Sequence, residues 1–202
     1  MRIRPLDAAD VPVAARLRIE LLEETGGALP PAQRQALLEA NQAFFHRHLG
    51  SPAWQSWVAE FGPELAPAAA GPASPAIGAI GTLAFFERPP YPGNPLGRDA
   101  YLLNMFTSPA YRGKGAARAI VQAVIGEARR RGVRKLILHA TEAGRPIYAE
   151  AGFGPSMAYM ELALDDDHGA AAAVAHSAVS AVSAQSAPSA PSAPSTAGPE
   201  TP

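Results

Sequence analysis

A short turn rich in glycine and positive charge is the part of the sequence best suited to chemistry. It reads Arg112-Gly113-Lys114-Gly115-Ala116-Ala117 and comes directly before an amphipathic helical segment. Glycine at 113 and 115 permits positive φ, so that successive N–H groups can converge on one anion. The start of a helix adds unpaired N–H groups and the positive end of a dipole. These features predict a pyrophosphate site, to which Arg112 and Lys114 add mobile positive charge.

The turn fits neither of the common nucleotide-binding motifs. A P-loop requires Gly-x-x-x-x-Gly-Lys-Ser/Thr, and the sequence contains no such stretch. A Rossmann fingerprint that begins at Gly113 requires a third glycine where the sequence has Arg118. The residues of the turn alone therefore leave the identity of the pyrophosphate ligand open.

Hydrophobic periodicity predicts the elements that hold this turn. We predict helices over 8–24, 31–49, 116–131 and 144–151, and strands over 1–6, 55–61, 76–87, 101–107, 133–140 and 159–164. The order is β-αα-β-β-β-α-β-α-β. The strands on either side of the third long helix must be parallel, whereas the strands before them form antiparallel neighbours. The predicted fold is α/β of the α+β kind, with a mixed, mostly antiparallel sheet flanked by helices.

The chain divides into one domain and a tail. Residues 1–164 are long enough for a domain with a full core. Residues 62–75 are rich in proline and alanine and exceed a normal hairpin loop, which predicts a flexible inserted loop without chemistry. Residues 165–202 begin with three aspartates, continue with alanine, serine and proline, and have almost no large apolar side chains. We expect this tail to be disordered.

Composition excludes several classes of function. The formal net charge of −1 provides no basic field for nucleic acid. The absence of cysteine excludes disulfides and thiolate chemistry. No run approaches the roughly 20 apolar residues that span a bilayer, and the first residues lack the pattern of a secretory signal. We therefore expect a cytoplasmic protein without a membrane or nucleic-acid partner; a homodimer is compatible with the sequence.

Two motifs together resemble the GCN5-related N-acetyltransferases (the GNAT family). The glycine-rich turn is similar to that family's phosphate loop, Gln/Arg-x-x-Gly-x-Gly/Ala, and the preceding Thr107-Ser108-Pro109-Ala110-Tyr111 is similar to the strand end before it. The segment from Gly144 to Phe153 is similar to the signature Ala-x-x-Leu-Tyr-x-x-x-Gly-Phe. The motifs lie at the family's usual separation, and the resemblance covers about residues 1–164.

This resemblance implies that the chain binds acetyl-coenzyme A and transfers the acetyl group to a primary amine of a small molecule or peptide. It implies no metal and no covalent enzyme intermediate. The coenzyme pyrophosphate would be held by backbone N–H groups of Arg112, Gly113, Lys114, Gly115, Ala116 and Ala117. The strand Met105-Phe106-Thr107 would lie beside the pantetheine arm, and a bulge would separate it from the next strand.

The resemblance also implies roles near the reacting atoms. An N–H group near Phe106 or Thr107 would meet the thioester oxygen, and Tyr148 would protonate the departing thiolate. Thr141 stands where the family often has asparagine, and its hydroxyl is expected to contact a pantetheine carbonyl. The same fold can also serve as a non-catalytic acyl-coenzyme A binding domain, in which case Tyr148 is a core tyrosine.

The acceptor side is less determined by the sequence. The resemblance implies that the first two helices and the strand before the coenzyme-binding strand form the walls of the acceptor site. Glu60, at a strand end, is the first candidate for a base or a water-orienting group, although a surface carboxylate is the commoner interpretation. Asn104 is polar within an apolar strand, which predicts a specific partner. Other polar residues that could contribute are Arg18, Glu20, Glu23, Glu24, Glu87 and Asp99.

Overall fold

The computed structural model describes residues 1–63 and 76–156. These ranges contain the strands β1 (Arg2–Pro5), β2 (Trp54–Phe61), β3 (Ala76–Glu87), β4 (Arg98–Thr107) and β5 (Lys135–Leu138). They also contain the helices α1 (Val11–Gly26), α2 (Pro31–His48), α3 (Ala116–Arg130) and α4 (Arg145–Glu150). The predicted strand at 159–164, the predicted tail at 165–202 and most of the predicted insertion at 62–75 lie outside the described residues.

The five strands form one sheet in the order β1-β2-β3-β4-β5. The first three pairs are antiparallel, and β4 pairs with β5 in parallel. This arrangement confirms the predicted mixed, mostly antiparallel sheet. β4 begins at Arg98 rather than at the predicted residue 101, because Arg98 already pairs with Glu87 of β3.

Helices cover both faces of the sheet. On one face α3 buries Ile120 in a cluster that includes Leu102 of β4. On the other face α1 buries Ala14 and Ala15 in a cluster that includes Ile80 of β3. α2 packs beside α1, and the two helices together cover the second face. The sheet therefore has a face that belongs to α3 and a face that belongs to α1 and α2.

Local sequence explains where α1 and α3 begin and end. Asp7 accepts a hydrogen bond from the N–H of Ala9, and Asp10 accepts one from the N–H of Asp7, which forms a capping box before α1. Gly27, with φ of 88°, ends α1. Gly132, with φ of 71°, follows the end of α3. These caps fix α1 and α3 relative to the strands that they connect.

Candidate active site

An extra residue interrupts β4 near its end. Ile80 of β3 pairs with Phe106, and Thr82 pairs with Leu103, so two steps along β3 correspond to three along β4. Asn104 lies in this bulge and has a φ of 55°. Among the described residues it is the only one other than glycine with a positive φ. The bulge that the sequence predicted in this strand is confirmed.

The bulge separates β4 from β5. Pairing between these strands ends at Leu102 and Leu138, so that β4 from Leu103 to Thr107 has no partner on that side among the described residues. Met105, Phe106 and Thr107 all lie in this unpaired stretch. Its N–H and C=O groups can add an extended ligand as a further strand, except for the carbonyl of Thr107, which accepts a hydrogen bond from Arg112. This edge lies where the resemblance predicted a slot between the two strands.

The glycine-rich turn leads from the end of β4 into α3. Gly113 and Gly115 have φ of 75° and 79°, and α3 begins at Ala116 without a side-chain cap. The N–H groups of Gly113, Gly115, Ala116 and Ala117 donate to no backbone carbonyl within the described ranges. A β-carbon at either glycine would meet nothing within 4 Å. The turn therefore has four N–H groups without a backbone partner next to open space, and a diphosphate can bind to such groups.

The side chain of Arg112 is held by the protein rather than mobile. Its Nε donates to the carbonyl of Thr107 at 3.0 Å, and its guanidinium forms an ion pair with Glu24 near the end of α1. The guanidinium also lies 5.8 Å from the centroid of the Phe106 ring. The expectation of a freely mobile charge at this position is therefore wrong. Arg112 ties α1 to the end of β4.

Lys114 lies over two aromatic rings. Its Nζ is 5.4 Å from the centroid of Tyr111 and 5.8 Å from that of Phe61. Both aromatic side chains are buried. This contact directs the charge of Lys114 toward the sheet side of the turn.

Tyr148 lies on α4, half-buried, with its ring edge-on to Phe153 at 5.9 Å between centroids. It packs closely on the preceding turn, since a β-carbon at Gly144 would be 3.0 Å from the ring. Burial, and secondarily the nearby Tyr101, raise the pKa of Tyr148 to about 12. The phenol therefore keeps its proton at neutral pH.

Thr141 lies in the loop before α4 and is exposed. Its Oγ accepts a hydrogen bond from the N–H of Gly144 at 3.3 Å. A β-carbon at Gly144 would approach the same Oγ at 3.3 Å, so Thr141 and Tyr148 both lie beside this glycine. The hydroxyl hydrogen of Thr141 can still donate to a further acceptor.

A tyrosine–histidine pair joins Tyr101 within β4 to the residue that follows β5. The hydroxyl of Tyr101 is hydrogen-bonded to Nδ1 of His139. Sequence reasoning did not find Tyr101, because the contact joins residues 38 positions apart and depends on the parallel pairing of β4 with β5. No local pattern in the sequence signals it.

Glu60 is bound by an arginine on the edge strand. Nε of Arg4 lies 2.5 Å from the Glu60 carboxylate, and a second nitrogen of Arg4 lies 2.5 Å from Asp10. Glu60 belongs to β2, and β3 lies between β2 and the bulge in β4. The structure thus brings Met105–Thr107 and the glycine-rich turn to the same end of the sheet, but directs Glu60 toward Arg4 on β1.

Asn104 is only partly satisfied. It is 8% exposed, and its Nδ2 donates to Oγ1 of Thr82 at 3.5 Å, which is long for a hydrogen bond. Thr82 is in turn bonded to Ser56 at 2.8 Å. The predicted partner of Asn104 therefore exists. Its Oδ1, like the Oγ1 of Thr107, is buried without a hydrogen-bond partner. Buried polar atoms of this kind occur often where a ligand completes the site.

A pocket of about 340 Å³ begins at Thr82 and Ser56 and extends under the last turns of α2. Its walls include Phe44, His48 and Trp54. Because Trp54 starts β2, the pocket lies toward the opposite end of the sheet from the glycine-rich turn. The pocket is therefore separate from the slot between β4 and β5.

Within residues 1–63 and 76–156, no three acidic or histidine side chains form a group that could hold a metal ion. No helix in these ranges is long and apolar enough to cross a bilayer.

Comparison with known proteins gives consistent matches. The model of the acetyltransferase (GNAT) family matches residues 28–153. A predicted acetyltransferase from Clostridium acetobutylicum, solved with acetyl-CoA, is 28% identical over 83% of this chain and 98% of its own, with a TM-score of 0.66. A GCN5-related N-acetyltransferase from Ralstonia eutropha is 26% identical over 81% of this chain and 99% of its own, with a TM-score of 0.63.

A more distant match extends the likeness in fold. Glucosamine-6-phosphate N-acetyltransferase from Arabidopsis thaliana is 17% identical, covers 81% of this chain and 98% of its own, and has a TM-score of 0.57. No curated protein sequence matches the chain.

Proposed function

The chain belongs to the acetyltransferase (GNAT) family and is an acetyl-CoA-dependent N-acetyltransferase; we propose that its acceptor is a primary amine of a small molecule or peptide and that Tyr148 is the general acid. One observation carries this proposal. The unpaired stretch of β4 after Leu102 leads directly into the open N–H groups of the glycine-rich turn. A ligand with an extended amide arm and a diphosphate matches both features.

The residues that would hold acetyl-CoA follow from this geometry. The N–H groups of Gly113, Lys114, Gly115, Ala116 and Ala117 would bind the pyrophosphate. The N–H of Arg112, predicted to join them, already donates to the carbonyl of Pro109 at 3.2 Å. Met105, Phe106 and Thr107 would add the pantetheine arm to the free edge of β4. The Thr141 hydroxyl would donate to a pantetheine carbonyl. The bound coenzyme supplies the thioester that the amine attacks.

Charge stabilisation at the reacting carbon would come from the backbone of β4. Attack by a neutral amine places negative charge on the thioester oxygen. An N–H group near Phe106 or Thr107, freed by the bulge, would donate to this oxygen. In other enzymes, removal of one such donor raises the activation free energy by about 3–4 kcal/mol. The bulge is thus proposed to open the slot and to orient the donor.

Tyr148 suits the role of the acid because its phenol is protonated at neutral pH. A thiol in water has a pKa of about 8.5, so proton transfer from a phenol with a pKa of about 12 would be unfavourable if only the phenol were shifted. Desolvation also raises the pKa of a thiol that lies beside the phenol. The two groups would therefore shift in the same direction, which keeps transfer feasible.

Glu60 could act as the base only if its ion pair with Arg4 opened. The proposal for acetyl transfer therefore does not depend on Glu60. An amine that enters the site in its neutral form needs no side-chain base before it attacks the thioester. The proton that its nitrogen loses after the attack can leave through water.

The experiment that tests acetyl transfer combines binding with turnover. Calorimetry measures acetyl-CoA binding to the full chain, and a thiol-release assay with mass spectrometry of the products follows transfer to a panel of primary amines. We expect saturable binding and an acetylated product. Binding without transfer to any amine would favour a non-catalytic acyl-CoA binding domain, and absence of binding would contradict the proposal entirely.

A further inference from the structure

Arg18 is unusual among the arginines of the described chain. The arginines there either form an ion pair or hydrogen bond, as Arg4 and Arg112 do, or are exposed. Arg18 alone is half-buried and has no hydrogen-bond or ion-pair partner within the described ranges. Burial lowers the pKa of its guanidinium. A charge in this state is unfavourable until an anion joins it.

Arg18 projects from the face of α1 that packs on the sheet. It lies three, four and seven residues after Ala15, Ala14 and Val11, positions that share one helix face. All three of those residues have no exposed surface. They pack in a cluster that contains Ile80 and Phe106, the pair next to the bulge. Arg18 therefore extends the packed face of α1 alongside the bulge in β4.

Two polar atoms in the second half of β4, at and after the bulge, are buried without a hydrogen-bond partner. These atoms are Oδ1 of Asn104 and Oγ1 of Thr107. Asn104 lies on the same face of the sheet as α1 and α2, because it contacts Thr82, which lines the pocket under α2. The site thus contains a guanidinium without an anion and an amide oxygen without a donor. One molecule that carries both a carboxylate and an N–H group satisfies both.

We propose that the acceptor is an amine that also carries a carboxylate a few bonds away, and that Arg18 binds this carboxylate while Oδ1 of Asn104 accepts a hydrogen bond from the amine. This inference rests on the proposed acetyl transfer and specifies its substrate class. By binding the carboxylate, the guanidinium of Arg18 would set how far the amine lies from α1. Asn104 lies at the bulge in β4, next to the proposed position of the thioester. A free amino acid has this chemistry, and so does a peptide with an acidic residue beside its amine.

The test compares matched acceptors on the full chain with saturating acetyl-CoA. One arm uses free amino acids, their carboxamides and the corresponding amines without a carboxyl group. The other arm uses peptides that begin with aspartate or asparagine, so that the side-chain carboxylate lies a few bonds from the N-terminal amine. We expect kcat/KM to be about 10- to 100-fold higher for the carboxylate members of at least one arm, as a charged hydrogen bond provides. The arm with the larger preference identifies the source of the carboxylate.

Arg18→Gln should abolish this preference by lowering kcat/KM for carboxylates alone, with the KM for acetyl-CoA unchanged. Arg18→Lys should retain part of the preference, because it keeps the charge but loses the planar fork. Arg16→Gln is the matched control on the same helix, since Arg16 is 56% exposed and pairs with Glu20 at 3.6 Å. This control should keep the full preference. Thermal unfolding should show that Arg18→Gln is at least as stable as the wild type, because it removes an unpaired charge.

Equal acetylation of carboxylates and carboxamides by the wild type would overturn the inference and leave acetyl transfer intact. A preference that survives in Arg18→Gln would also overturn it. If no amine of either arm is acetylated while calorimetry shows bound acetyl-CoA, the proposed transfer fails and the inference fails with it. If Arg18→Gln does not fold, the substrate preference of the wild type and of Arg18→Lys decides the question.

Discussion

Gly81 lies opposite the bulge in β4, and a β-carbon at this position would come within 2.5 Å of the sulfur of Met105. The same β-carbon would approach Cγ2 of Ile120 in α3 at 2.6 Å. The bulge thus directs Met105 into space that a side chain at position 81 would otherwise occupy. Glycine at this position is needed for the packing of β3, β4 and α3 at the slot.

We therefore predict that Gly81→Ala destabilises the protein by about 1–3 kcal/mol, as overpacking of a core does. Ile120 is fully buried and cannot move freely. Gly126→Ala is the control, because this glycine lies within α3 and a β-carbon there would meet nothing within 4 Å. The control should gain up to about 1 kcal/mol from helix propensity. Urea denaturation measures both, and equal midpoints for the two variants would contradict the packing argument.

Gly115→Ala should weaken acetyl-CoA binding. Its φ of 79° is unfavourable for alanine by about 1–2 kcal/mol, so the turn is expected to relax and its N–H groups to lose their convergence. Gly50→Ala introduces similar strain at φ of 71° in an open position away from the turn. Both variants should lose stability in thermal unfolding. Only Gly115→Ala should raise the dissociation constant in calorimetry, and equal affinities of the two variants would argue against the turn as the diphosphate site.

The sequence was sufficient for the order of the strands and helices because the apolar residues of α3 recur at helical spacing and glycines such as Gly132 mark where helices end. The glycine-rich turn was also recognisable, since it is a local feature, whereas the bulge in β4 was expected only from the resemblance to the GNAT family. It could not reveal that Arg112 is held by Glu24, because that ion pair joins residues 88 positions apart. The same reason hid the contact of Glu60 with Arg4.

The isolation of Arg18 was equally hidden. Its position on the packed face of α1 can be read from helical spacing, but the lack of a partner depends on every neighbouring strand. Asn104 was recognisable as an unusual residue in an apolar strand. Its positive φ and its unsatisfied Oδ1 follow from the register of β3 with β4, which no local pattern specifies.

Tyr148→Phe should lower kcat by about 100-fold or more at neutral pH, the usual contribution of general acid catalysis. The KM for acetyl-CoA should change little, because the ring and its contact with Phe153 remain. Tyr91→Phe is the matched control, because it removes the hydroxyl of an exposed tyrosine in the loop between β3 and β4. Steady-state kinetics of the three proteins measure the effect. Full activity in Tyr148→Phe would remove this residue from the role of acid.

The raised pKa of Tyr148 predicts a loss of stability in alkali. Its ordinary value is 10.0, and burial raises it to about 12. The folded state therefore holds this proton more tightly than the unfolded state. The corresponding stabilisation is complete below pH 10 and disappears as pH rises toward 12. Two pKa units correspond to about 2–3 kcal/mol.

The free energy of unfolding, measured by urea denaturation across this range of pH, should therefore fall less steeply in Tyr148→Phe than in the wild type. Tyr91→Phe should follow the wild type, because Tyr91 is exposed. Parallel slopes for the wild type and Tyr148→Phe would mean that the phenol of Tyr148 is solvated in the folded protein.

Glu60→Gln separates a structural carboxylate from a catalytic base. Arg4 binds both Glu60 and Asp10, so replacement of Glu60 leaves the half-buried guanidinium with one carboxylate fewer. We expect a loss of about 1–3 kcal/mol in stability, the usual effect of removing one partner of a charged hydrogen bond. We expect kcat to be nearly unchanged, because the Glu60 carboxylate faces Arg4 on β1. Arg4→Gln should reproduce the destabilisation with the Glu60 carboxylate present. A kcat that falls by about 100-fold or more in Glu60→Gln but not in Arg4→Gln would identify Glu60 as the base.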